Sequence, residues 1–155
     1  MTIKGTAQQV ARGKYLAYHV SACIDCHSTR NWSKFSGPIK AGTIGKGGET
    51  FDQRMGLPGK FISRNITPYN LHDWTDGDIY RAITTGVTKD GHPLFSVMPY
   101  QSYGKMDPRD FKAIIAYIRT LKPITYDPPA SEANFPMNLI LQTIPVKKTV
   151  AGIIG

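Results

Sequence analysis

Apolar residues recur at helical spacing in three parts of the chain, and the clearest case lies near residues 107–121. This stripe consists of apolar positions three or four residues apart: Phe111, Ile114, Ile115, Ile118 and Leu121. Such spacing is typical of an amphipathic helix with one buried face. Asp107 suits the N-cap and Pro108 the first helical position, while Pro123 cannot continue the helix. The pattern therefore predicts a helix that ends before Pro123.

Two more helices are predicted from their start and stop signals. Thr6 and Gln9 form a capping-box pattern, and the helix that follows is expected to run to about Ser21. A second helix is expected to begin after Thr75 and to end at Gly86, which favours a left-handed cap. With the helix near the C-terminus, these elements predict an all-α fold.

The remaining segments show no sustained period. Residues 36–64 are rich in glycine but lack a phosphate-binding pattern, so we predict an irregular excursion with a short hairpin around residues 45–48. Five prolines after the last helix predict an extended tail. We therefore expect one domain at residues 1–123 and a tail at residues 124–155 that packs on the same domain.

The chain of 155 residues is basic, with a net charge of +8 and 19 Lys and Arg residues against 11 Asp and Glu residues. This charge favours an acidic protein partner or an anionic membrane surface. The basic residues are scattered and no nucleic-acid-binding module is evident, so a nucleic acid is not an expected partner. No apolar run reaches the roughly 20 residues that span a bilayer, although peripheral membrane association remains an option.

The first predicted helix leads directly into the sequence Cys23-Ile24-Asp25-Cys26-His27. Two cysteines separated by two residues and followed by histidine form the pattern for covalent attachment of haem c. The two thiols would add to the haem vinyl groups, and the adjacent His27 would bind the iron. The sequence contains no other cysteine, so we predict one haem.

Two cysteines and a histidine at this spacing could instead form a redox dithiol, a zinc site or a simple disulfide. A thioredoxin-like dithiol needs a βαβ context, which the flanking sequence does not predict. A structural zinc site needs four ligands, and His19, His72 and His92 are not spaced to complete one. A simple disulfide leaves His27 without a role.

Several spaced motifs accompany the haem-attachment pattern. They are Gly13-Lys14-Tyr15-Leu16, Asn65-Ile66-Thr67-Pro68, Trp74-Thr75, Arg81-Ala82-Ile83, Gly86-Val87, Met98-Pro99-Tyr100 and Ala116-Tyr117-Ile118-Arg119-Thr120-Leu121. Together they resemble the single-haem units in the cytochrome subunits of bacterial membrane-bound alcohol and sugar dehydrogenases. The resemblance covers roughly residues 10–123, and it implies the class I cytochrome c fold, with three main helices around one covalent haem.

The resemblance also implies roles for individual residues. His27 is expected to be the proximal iron ligand and Met98 the distal ligand. The carbonyl of Pro38 is expected to accept a hydrogen bond from the other nitrogen of His27. The haem pocket is expected to include Asn65, Trp74, Pro99 and Tyr100, with Asn65 and Trp74 near the haem propionates. Gly13 and Tyr117 are expected where the terminal helices cross.

Alternatives for the iron ligands remain open at this point. Met106 is the second candidate for the distal methionine, and His92 would give a bis-histidine iron. Methionines more often fill gaps in a core than bind a metal. An open distal site would instead favour a haem-based ligand sensor or a haem enzyme.

The resemblance implies one-electron transfer between redox proteins of a respiratory or dehydrogenase chain, with no catalysis by this chain. An acidic dehydrogenase or terminal oxidase is the expected partner. Covalent haem attachment normally occurs outside the cytoplasm, so we expect a bacterial periplasmic location or the periplasmic face of the inner membrane. The N-terminus lacks the apolar stretch of a signal peptide, so we expect that the native precursor carried a leader or anchor that is not present in this chain.

Overall fold

The computed structural model describes residues 1–143 and is mixed α/β, with about 34% helix and a three-stranded antiparallel sheet. The helices are α1 Ala7–His19, α2 Cys23–Cys26, α3 Asp76–Thr85, α4 Tyr100–Tyr103, α5 Pro108–Ile118 and α6 Met137–Ile140. The strands are β1 Thr50–Phe51, β2 Gly59–Ile62 and β3 Glu132–Ala133, and a 3-10 turn covers Gln53–Met55. The prediction of an all-α fold is therefore wrong.

The three predicted helices are confirmed, and local side-chain chemistry explains where they begin. Thr6 and Thr75 each accept a hydrogen bond from the backbone three residues later and complete a capping box, and Asp107 caps α5 ahead of Pro108. Gly86 ends α3 at a φ of 70°, a conformation that glycine adopts without strain. None of the helices within residues 1–143 is long and apolar enough to cross a membrane.

The terminal helices α1 and α5 cross at Gly13, where one backbone lies directly against the other. A Cβ atom on Gly13 would lie 1.8 Å from the carbonyl oxygen of Ala113. Only glycine permits this approach, and it brings the buried side chains of Leu16, Ile114 and Ile118 into one core cluster. Gly13 was predicted at this crossing, but the residue opposite it is Ala113, one helical turn before Tyr117.

The sheet forms from the glycine-rich excursion and the tail, with strand order β1-β2-β3. Phe51 pairs with Phe61, and Lys60 pairs with Glu132. The hairpin predicted at residues 45–48 is instead the β1–β2 hairpin. Strands of two to four residues are too short to show an alternating apolar pattern, which is why the sequence indicated only irregular structure here.

Side chains from the central part of the chain bind the first part of the tail. The buried Asn65 amide donates to the carbonyls of Ile124 and Tyr126, at 2.9 and 2.8 Å. The Ser131 hydroxyl accepts a hydrogen bond from the Ile62 amide. Phe135 remains exposed, and residues 144–155 of the predicted tail lie outside the described residues.

Candidate functional site

A cavity of about 350 Å³ lies between α2, the sheet and the loop before α4. Its walls are mainly apolar. The lining residues are Ala22, Cys23, Cys26, His27, Phe51, Phe61, Ile62, Ser63, Arg64, Pro93, Leu94, Phe95, Val97, Met98, Pro99, Tyr103, Ser131, Ala133, Asn138 and Leu141. A concave apolar site of this size, with few polar groups, is typical of a small-molecule or cofactor site.

Both cysteines of the motif lie in α2 and face this cavity as free thiols. Ala22 takes a left-handed conformation at a φ of 49°, which starts the short helix immediately after α1. Burial raises the pKa of the Cys23 thiol to about 12, and burial also raises the pKa of Cys26. A dithiol oxidoreductase needs the opposite, a thiolate stabilised at neutral pH. The surroundings of the thiols therefore disfavour the dithiol alternative.

The proximal candidate, His27, is held through its ring by a backbone carbonyl. Its Nδ1 lies 2.7 Å from the carbonyl oxygen of Arg64. Since a carbonyl can only accept, the proton is on Nδ1, which leaves the Nε2 lone pair available for a metal. Burial lowers the pKa of His27, and this favours the neutral imidazole that a ligand requires.

The acceptor expected at Pro38 is found at Arg64 instead. Pro38 is exposed, and its carbonyl accepts a hydrogen bond from the backbone amide of Asn31 at 2.8 Å. That bond closes the loop after the motif, while the Nδ1 of His27 is bound to the Arg64 carbonyl. The prediction for Pro38 is therefore corrected to the Arg64 carbonyl.

The glycine-rich segment supports His27 from its backbone side. The Gly47 amide donates to the carbonyl of His27 at 2.8 Å. Gly47 has a φ of 76°, and a Cβ atom there would lie 2.6 Å from the carbonyl oxygen of Ser63. The segment therefore packs tightly between His27 and the strand end that supplies the Arg64 carbonyl.

Met98 lines the same cavity as His27, in the loop between α3 and α4. The loop is anchored by a hydrogen bond from the Leu94 amide to the Gly86 carbonyl, and by Phe95, whose ring stacks on Phe61 at a centroid distance of 3.8 Å. Among the described residues that line the cavity, His27 is the only histidine and Met98 the only methionine.

The two alternative ligands lie elsewhere. Met106 packs against the core cluster of α3 and α5, and His92 is exposed; neither lines the cavity. The structure thus brings together the two predicted ligands and not the alternatives.

Three of the predicted pocket residues lie away from the cavity, while Pro99 lines it. Asn65 has 0% exposure, and its side chain is occupied by the tail carbonyls and by Thr67. Trp74 packs against the core cluster. Tyr100 is buried with its ring against Gly86. These three residues stabilise the surrounding fold and do not line the cavity.

Sequence reasoning missed several lining residues. Arg64 contributes a backbone carbonyl, which leaves no signal in a sequence. Phe61 and Phe95 are 34 positions apart, since one is in β2 and the other in the methionine loop. Phe95 could have been suspected, because it comes shortly before Met98 in the loop that the resemblance singled out.

The cavity residues fit a haem c. Two free thiols line an apolar cavity together with a neutral histidine. The Nε2 atom of this histidine carries the lone pair that could bind a metal. A thioether sulfur from Met98 is also present. Within residues 1–143, no cluster of three or more His, Cys, Asp or Glu side chains is arranged to hold a metal ion, as a zinc site would require.

No protein-family model matches the chain, but several curated proteins do. The chain is 30% identical over 135 residues to the gluconate 2-dehydrogenase cytochrome c subunit of Pantoea cypripedii, covering 84% of this chain and 27% of that protein. It is 30% identical over 134 residues to the fructose dehydrogenase cytochrome subunit of Gluconobacter japonicus, covering 84% and 25%. It is also 25% identical over 137 residues to a diheme cytochrome c-type protein of Cereibacter sphaeroides, covering 86% and 43%.

The similarity extends over most of this chain. The chain spans about a quarter of the length of the first two relatives. The resemblance that the motifs predicted, to the cytochrome c subunits of bacterial dehydrogenases, is therefore confirmed.

Proposed function

We propose that this chain is a c-type cytochrome unit that carries single electrons between redox proteins. One observation supports the proposal most strongly: both thiols of the motif, His27 and Met98 line a single apolar cavity. In this proposal Cys23 and Cys26 would hold one haem c covalently, and His27 and Met98 would bind its iron.

A bound haem c supplies an iron centre that accepts and releases one electron at a time. The residues of the chain determine how readily this occurs. The Arg64 carbonyl orients His27 and strengthens it as a ligand through the Nδ1 hydrogen bond. The Met98 thioether favours the reduced state, and the apolar walls exclude water. Because His27 and Met98 would both bind the iron and leave no position for a substrate, the proposal assigns the chain no substrate turnover.

The redox partner and the cellular location are inferred from the relatives, the net charge and the chemistry of haem attachment. Two of the named relatives are cytochrome subunits of dehydrogenases, so we infer a dehydrogenase or a terminal oxidase as the redox partner. The net charge of +8 supports an acidic docking surface on that partner. We infer a periplasmic location, because haem c is attached there. We also infer one cytochrome domain at residues 1–123 with the tail packed on it.

Covalent attachment is the first test of this proposal. After expression with a c-type cytochrome maturation system, the intact mass is expected to exceed the polypeptide mass by one haem. Cys23→Ser and Cys26→Ser should each leave a single thioether bond, and the double variant should release all haem on acidic organic extraction. A polypeptide-only mass for the matured wild type, or a mass with two haems, would contradict the proposal.

A further inference from the structure

A short loop after the haem-attachment motif, residues 30–39, displays two aromatic rings to solvent. Phe35 is 99% exposed and Trp32 is 70% exposed. Large exposed apolar surface of this kind can mark a site of contact with a protein or a membrane. We define residues 30–39 as the aromatic loop.

Hydrogen bonds close the aromatic loop and set the course of its backbone. The Asn31 amide donates to the Pro38 carbonyl at its base, and the Arg30 guanidinium donates to the carbonyls of Ser36 and Gly37. Arg30 is itself fixed by Asp25, with an Nη1–Oδ1 distance of 3.0 Å. A preformed loop loses little conformational entropy when it binds a surface.

Trp32 presents an apolar surface because its one polar group is already satisfied. The indole Nε1 donates to Glu49 at 2.9 Å. The Arg30 guanidinium lies 5.1 Å from the centroid of the ring, and a Cβ atom on Gly37 would lie 2.7 Å from the ring. The outer face of this ring and the whole of Phe35 are left for an external contact.

The charge around the rings is positive. Asp25 is paired with the Arg30 guanidinium, whereas Glu49 accepts only from the Arg30 backbone amide and the Trp32 indole and keeps its charge. The three cations Arg30, Lys34 and Lys40 therefore exceed these two acids by one charge. Lys34 is in the loop and Lys40 follows it; both are exposed, and neither forms an ion pair within the described part of the chain. An anionic surface that also accepts apolar rings complements this arrangement.

We propose that the aromatic loop docks the protein onto the surface of an anionic phospholipid bilayer. Phe35 enters the interface between headgroups and acyl chains, Trp32 lies at headgroup level, and Lys34 and Lys40 contact anionic lipids. A protruding ring favours a lipid surface, because lipids rearrange around it, whereas a protein partner needs a preformed matching pocket. This inference is independent of the proposed redox function.

Vesicle sedimentation tests the proposal with the matured protein. Wild type is expected to sediment with phosphatidylglycerol vesicles and to remain in solution with phosphatidylcholine vesicles, since binding needs anionic lipid. Phe35→Ala should weaken binding to phosphatidylglycerol about tenfold or more, because the ring's apolar surface is lost. Replacing Lys34 and Lys40 together by Gln should also weaken it and reduce its salt dependence.

Phe135→Ala is the matched control. Phe135 is 79% exposed but lies outside the aromatic loop, so this variant should bind phosphatidylglycerol vesicles as wild type does. Absence of wild-type binding to these vesicles, or equal binding by wild type and Phe35→Ala, would overturn the proposal. Since vesicle binding is scored by sedimentation and haem attachment by mass, failure of one proposal is distinguishable from failure of the other.

Discussion

Gly13→Ala is expected to destabilise the protein, although alanine is the better helix former. The change in helix propensity alone would stabilise α1 by about 1 kcal/mol. However, the new Cβ atom would lie 1.8 Å from the Ala113 carbonyl oxygen and 2.4 Å from its carbon. These are backbone atoms, so no side-chain rotation relieves the clash and the two helices must separate. Overpacking costs about 1–3 kcal/mol, and a backbone clash this close belongs at the upper end of that range. After the gain of about 1 kcal/mol in helix propensity is subtracted, we expect a net loss of about 2 kcal/mol.

Urea unfolding followed by circular dichroism would measure this loss, and Gly77→Ala provides the control. Gly77 is also in a helix, but its Cβ atom would meet nothing closer than 3.6 Å. That variant should keep the wild-type midpoint of unfolding or raise it. Its free energy of unfolding should increase by up to about 1 kcal/mol. If the unfolding midpoints of both variants shift equally in the same direction, the backbones of α1 and α5 are not in close contact at Gly13.

Met98→Ala is expected to change the iron site more than any other single substitution outside the attachment motif. Loss of the thioether should lower the reduction potential on the order of 0.1 V or more, since axial ligands set haem potentials over a range of about 0.8 V. The variant should also bind carbon monoxide, which the wild type should not. Met98→His should stay low-spin, but at a lower potential than the wild type.

Met106→Ala is the matched control for this substitution. Met106 packs against the core cluster and does not line the cavity, so its loss should leave the potential nearly unchanged. A wild type that binds carbon monoxide rapidly would favour the ligand-sensor or haem-enzyme alternative. If Met98→Ala keeps the wild-type spectrum and potential, Met98 is not the ligand.

The helices and the attachment motif were predictable because their signals are local. A capping threonine, a proline at the first turn or a left-handed glycine affects only its own few residues, and all of these appear as expected at Thr6, Pro108 and Gly86. The cysteine–histidine motif is equally local. Its chemistry follows from residue type and spacing without knowledge of the fold.

The sheet and the exact surroundings of His27 were not predictable, because both depend on backbone groups far apart in the sequence. Gly59 pairs with Ala133 through a close backbone approach, and neither segment has the length of a recognisable strand. The Arg64 carbonyl reaches His27 across 37 positions. Asn65 was expected at the cofactor, because its motif matched the family, but its buried amide binds the tail.

The contact between the two phenylalanines at the cavity was not predictable either, because it joins distant parts of the sequence. Phe61 stacks on Phe95 only because β2 and the methionine loop meet in the fold. Each residue alone is compatible with any core position. The sequence therefore indicated the thiols, the histidine and the methionine that line the cavity. The apolar side chains around them became evident only in the structure.

A redox titration of the matured wild-type protein, followed by its visible spectrum, tests the central claim most directly. The claim is that one covalent haem, bound by His27 and Met98, carries single electrons. We expect one reversible one-electron transition, the thioether-to-iron absorption in the ferric protein, and no spectral change when carbon monoxide is added to the ferrous protein. Several transitions, a ferric spectrum without the thioether absorption, or rapid carbon monoxide binding would contradict the claim.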